Sequence, residues 1–144
     1  FWDKLFIYCE EDDLSLRVWD AGYKILYWPQ ALVYHRESPQ KRVSHSMREY
    51  FDLRNSLYIY LVRYPWWMLC LFAPLQIGIS LFKGLRGGYV HEVLPALTEV
   101  VRELPSLWEE RCPISNGTAR QFLSLQREHG PLSWDLVSWL RYKT

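Results

Sequence analysis

Cysteine is scarce in this chain and poorly spaced for building structure: Cys9, Cys70 and Cys112 are the only three in 144 residues. An odd, widely separated set offers neither a disulfide framework nor a zinc spacing, and points to a reducing compartment. Charge of one sign is missing too. Seventeen Lys and Arg against sixteen Asp and Glu leave a net charge of +1, so nothing pulls the whole chain toward nucleic acid. No repeat, low-complexity tract or signal-peptide pattern is present. The sequon Asn116-Gly117-Thr118 carries no weight in a reducing compartment. The length allows one domain, or one small domain with an appendage. The opening Phe1-Trp2, without Met, leads us to expect the carboxyl-terminal piece of something longer.

Aromatic residues, by contrast, are abundant, with eight Trp, ten Tyr and six Phe. Rings with an apolar body and a polar tip suit interfaces and membrane surfaces. The charges are also segregated: an acidic stretch over residues 1–22 is followed by a basic neck over residues 36–63. The acidic stretch contains four consecutive carboxylates, Glu10-Glu11-Asp12-Asp13. Their mutual repulsion needs an offset. A solvated helix N-terminus supplies one, worth roughly 0.3–1 kcal/mol per group. A bound cation or a proton-transfer task supplies another.

Around this run the pattern predicts alternating elements. Leu5–Cys9 reads as a short buried strand. A helix is expected from about Asp12 to Ala21, with Gly22 in the position that follows a helix end. Asp13 and Arg17, four residues apart, share a face of it. Tyr23–Trp28 and Ala31–His35 read as strands separated by Pro29-Gln30. His35 ends the last strand at a loop mouth, where α/β proteins place chemistry; a solvated or hydrogen-bonded histidine fits equally. Ser46 and Glu49 match a capping box, so a second helix should start there and run to about Val62.

Tyr64–Phe82 carries no formal charge and is bounded by Arg63 and Lys83. As a helix it would reach roughly 28 Å, about a hydrocarbon thickness. Pro65, Pro74 and the Trp66-Trp67 pair leave three readings open: a helix lying in the interface, a span, or a buried hairpin. Lys83–Gly88 reads as a flexible basic break, and Val90–Glu110 as an amphipathic helix with prolines at 95 and 105. A turn-rich linker over 112–118 precedes a short helix, Ala119–His129, and a last amphipathic segment near Trp134–Leu140.

Two stretches taken together are specific. Phe6–Arg17, followed by Ala21-Gly22-Tyr23, a strand, Pro29-Gln30-Ala31 and a strand ending in His35, resembles family 2 glycosyltransferases of the rhamnosyltransferase and galactofuranosyltransferase type. Arg48-Glu49-Tyr50-Phe51 with Arg54-Asn55 resembles the Tyr-x-x-Arg-Asn helix of the same proteins. The likeness covers residues 5–55 and thins out by about residue 111.

The resemblance implies an α/β fold, with residues 1–45 as the carboxyl-terminal part of a GT-A domain and 46–111 as a helical membrane-associated region; the residue pattern alone makes 112–144 a helical tail. It implies an inverting transfer of a sugar from a nucleotide-diphospho-sugar to a glycan or lipid-linked acceptor of the cell envelope, at the cytoplasmic face of a membrane, peripheral or single-span. Glu11, where the family usually has Asp, would be the general base. Glu10 would shape the acceptor site, and Asp13 and Arg17 would hold the motif in place. His35 would bind a divalent metal, Mg²⁺ or Mn²⁺, whose other ligands this chain lacks. The nucleotide-binding half is also missing, so the chain alone should not catalyse. The rival expectation is a non-catalytic membrane-anchoring or partner-binding module. A calcium-binding role for the acidic run is weaker, because the run lacks the alternating Asp/Asn spacing of a calcium loop.

Overall fold

A computed structural model describes residues 2–34 and 44–129. Among them every regular element is helical: a short 3₁₀ turn at Asp3–Leu5, then α1 (Glu10–Asp20), α2 (His45–Arg63), α3 (Trp66–Gly87), α4 (Val90–Glu109) and α5 (Asn116–His129). The expected α/β architecture is therefore corrected, since no strand occurs among the described residues. Leu5–Cys9 cannot form a strand because Phe6, Tyr8 and Cys9 all have positive φ, at 57°, 67° and 63°. Residues 23–34 are rich in strand-forming side chains, but among the described residues no neighbouring strand pairs with them. A strand without a ladder gains little, and Tyr27, Val33 and Tyr34 stay about nine-tenths exposed, at 89%, 88% and 93%.

The helices follow local chemistry closely. α1 ends as expected around Gly22, whose φ of 84° accommodates the left-handed turn. There the Tyr23 amide donates to the Val18 carbonyl and the Gly22 amide to that of Trp19, a Schellman closure. α2 starts earlier than the capping box implied. Ser44 is its cap, the hydroxyl accepting from the Met47 amide at 3.2 Å, and Ser46 lies inside the first turn. α3 runs through most of the expected break at Lys83–Gly88 and ends only at its last residue, the left-handed cap Gly88, and both α3 and α4 continue through internal prolines.

α2 is the central element. Leu53, Leu57, Tyr58, Ile59 and Val62 are buried against Met68 and Leu69 of α3 and Val93, Ala96, Val100 and Leu107 of α4. α3 and α4 also pack on each other. Leu5 and Leu16 join the same core from the amino-terminal side. The linker after α4 lies along the end of α2, where the Cys112 amide donates to the Val62 carbonyl and the Ile114 amide to that of Arg63. The acidic run is thus seated on one side of a helical bundle.

Candidate functional site

The loop leading into α1 is conformationally costly. Non-glycine residues in left-handed backbone each cost on the order of 1 kcal/mol or more, and three of them fall within Phe6–Cys9. The compensation comes from Arg54 and Asn55. The Asn55 amide Nδ2 donates to the carbonyls of Leu5 (2.9 Å), Ile7 (2.7 Å) and Tyr8 (2.9 Å). Arg54 donates through Nε to the Asn55 Oδ1 at 2.9 Å, which orients the amide. Its other nitrogens reach the Lys4 carbonyl at 3.0 Å and Glu99 at 3.1 Å. The guanidinium lies over the Phe51 ring at 5.0 Å and the Tyr58 ring at 5.3 Å. One adjacent pair on α2 therefore sets the shape of the loop that launches α1.

A second lock acts one turn further on. Asp13 is fully buried. Its Oδ2 accepts from Arg17 Nε at 2.9 Å and its Oδ1 from Arg63 Nε at 2.7 Å. The charge-assisted pair with Arg63 joins α1 to the end of α2 across 50 positions of sequence. Arg63 in turn lies over the Trp2 ring, 5.7 Å from its centre. At the far end of α1, Asp20 accepts from the Ser115 amide at 2.8 Å.

With Asp13 turned inward, the other three carboxylates remain on the open side of the first turn. Glu11 and Asp12 are exposed and Glu10 is half-buried. Glu10 Oε2 is buried and finds no hydrogen-bond partner among the described residues. Asp12 lines a cavity of about 490 Å³ between α1, α2, α3 and α5, whose wall also includes Trp19, Tyr60, Tyr64, Phe72 and Leu75. Partial burial, then the charges of Glu11 and Glu10, push the Asp12 carboxyl up from its ordinary value. Nearby, burial with the charges of Asp12 and Asp52 pushes the Cys9 thiol up to about 12. Burial likewise raises Tyr60 to about 12. The cavity is therefore apolar and aromatic, with one acidic edge.

The structure brings Glu10, Glu11, Asp13 and Arg17 together, as their sequence proximity requires. His35, expected to hold a metal, lies outside the described residues. Among the described residues no three His, Cys, Asp or Glu side chains converge as a metal group. The carboxylates present do not by themselves fit a resident dication, and no chemical step below is routed through one. The sequence reading missed Arg63, which it took only as the border of the apolar run. Its one available signal is that Asn55, Ile59 and Arg63 recur every fourth residue along one side of α2.

α3 is the one helix among the described residues that is long and apolar enough to cross a membrane, a property shared by core helices of soluble proteins. Comparison with family models, with curated proteins and with solved structures returns no match.

Proposed function

We propose that this chain carries the acceptor-binding and general-base element of a glycosyltransferase working at a membrane surface. The observation that carries the reading is the division of labour in the first turn of α1. Asp13 is consumed by a buried double-arginine lock. Glu11 is left exposed at the helix N-terminus, next in sequence to Asp12, which lines a cavity of about 490 Å³. The resemblance of residues 5–55 to family 2 glycosyltransferases points to the same division.

In this reading Glu11 takes the proton of the acceptor hydroxyl as that oxygen attacks the anomeric carbon of the donor sugar. The bond to the leaving nucleoside diphosphate breaks on the opposite face, giving inversion. Glu10, half-buried beside Glu11, shapes the acceptor side of the same turn. The aromatic cavity next to Asp12 suits the apolar portion of a lipid-linked acceptor. The Arg54–Asn55 pair and the Asp13 lock keep the base in place, since a misplacement of about 1 Å is enough to lose two orders of magnitude.

The test is a donor screen on the full-length gene product, following release of nucleoside diphosphate, with Glu11→Gln as the decisive variant. Turnover should fall by about 10²-fold or more, the usual size for a lost general base, with donor affinity and fold unchanged. Wild-type turnover in that variant refutes the assignment of Glu11.

One observation favours the rival module. α4 exposes Leu94, Val101 and Trp108 at seven-residue spacing, flanking its buried stripe, which is the pattern of a helix-pairing seam. Self-association of the chain, abolished by Val101→Glu, together with no transfer from any donor, would favour that module.

A further inference from the structure

The apolar helix α3 has two different sides. Leu71, Leu75, Phe82 and Leu85 are exposed along one of them, and only 22% of its most apolar window is buried within the chain. The other side is held over its full length. Met68 and Leu69 are buried near its start, and Ser80 and Gly84 near its end. At Gly84 the approach to α4 is so close that a Cβ would lie 3.1 Å from the Val90 Cα and 3.2 Å from Val93 Cγ2.

The helices holding it are charged. α4 carries Glu92, Glu99, Arg102 and Glu103, and α2 carries Arg48, Glu49 and Asp52. If α3 crossed a bilayer, its packed neighbours would be drawn into hydrocarbon, where such side chains are strongly disfavoured. The ends of α3 match a headgroup layer instead. The helix contains no acidic residue, and its last turns hold Lys83 and Arg86, the latter over the Phe82 ring at 5.7 Å. At its start, Trp66 and Trp67 are exposed, and Arg111 stacks over Trp66 at 4.6 Å and Trp108 at 5.4 Å. Cations at both ends of an acid-free apolar stripe, with tryptophans at one of them, are complementary to an anionic lipid surface.

We propose that α3 lies in the plane of an anionic membrane, with its exposed stripe sunk into one leaflet, and does not cross the bilayer. This rests on the membrane location in the reading above and on none of its transfer chemistry. One consequence concerns the cavity. Leu75 and Ile79 line it and also lie on the exposed stripe, so it opens at the lipid surface.

The test adds the full chain to preformed sealed vesicles of phosphatidylcholine, alone or mixed with phosphatidylglycerol. Sedimentation should show binding that requires the anionic lipid. Lys83→Gln with Arg86→Gln should weaken it about 30-fold, the effect of two surface charges, at unchanged circular dichroism. Topology is read with a membrane-impermeant maleimide in a Cys70→Ser background. Native Cys112 sits beside Arg111 at the start of α3, and His91→Cys places a thiol just past its end. Both should label from outside without detergent. Protection of one end means that α3 crosses, and overturns the proposal. Absence of binding to anionic vesicles, or binding indifferent to the two cations, overturns it as well. A failed donor screen with vesicle binding intact removes only the transferase reading.

Discussion

Removing the charge of Asp13 is the sharpest probe of the scaffold beneath the candidate site. Asp13→Asn keeps the side-chain shape but leaves Arg63, only 12% exposed, without its hydrogen-bonded anion. Breaking a buried ion pair from one side costs about 3–5 kcal/mol, most of it from the charge left stranded. Arg17 is 40% exposed, so solvent screens its share to roughly 0.2–1 kcal/mol. The expected loss is therefore about 3 kcal/mol for Asp13→Asn or Arg63→Met, and under about 1 kcal/mol for Arg17→Met. Urea unfolding followed by circular dichroism measures this. At a slope of about 2 kcal/mol per molar, the midpoint should drop by about 1.5 M for the first two variants, with the slope unchanged. The double variant Asp13→Asn/Arg63→Met should lose clearly less than the sum, because the second change removes the stranded charge. Strict additivity, or a loss below about 0.5 kcal/mol in Asp13→Asn, would refute the lock.

Asn55→Ala should destabilise the fold by about 2–4 kcal/mol, because the Ile7 and Tyr8 carbonyls lose their side-chain donor and that of Leu5 keeps only the 3.3 Å bond from Arg54; hydrogen exchange in residues 5–9 should rise with it. Ser44→Ala should cost about 1 kcal/mol and Ser46→Ala less than about 0.5 kcal/mol, since only the former caps α2; equal costs would return the cap to Ser46. Cys9 should resist alkylation in the native protein. Its folded pKa of about 12, against an ordinary 9.0, means roughly a thousandfold less thiolate at neutral pH. The sign follows: folding favours the neutral thiol, so this group opposes folding once pH rises above its ordinary value. Mass mapping after iodoacetamide treatment should find Cys70 and Cys112 modified and Cys9 modified only on unfolding.

The periodicity of apolar residues made the helices readable, because helix formation and one-sided burial are local properties of a few turns. The Asp13–Arg17 pair was legible for the same reason, a spacing of four on one helix. The strands were misread. Tyr23–Trp28 and Ala31–Tyr34 have strand-forming composition, but a sheet is a property of pairing, and pairing is not written in any single segment. The left-handed turns at Phe6, Tyr8 and Cys9 were equally invisible, since none of these residues favours that backbone alone.

The sequence by itself determined that this chain would place an acidic run at a helix start, follow it with a basic helix, and carry a long apolar helix bounded by cations. Only the tertiary structure decided which of the four acids is locked away and which are left open. Asp13 becomes structural because Arg63 reaches it from α2, and the loop before it holds its shape because Asn55 gathers three carbonyls. Both interactions join residues about 50 positions apart, and only the packing of α2 under α1 brings them within hydrogen-bond distance. The same holds for α3. Its composition permitted a span or a surface helix, and charged neighbours packed along its whole length are what favour the surface.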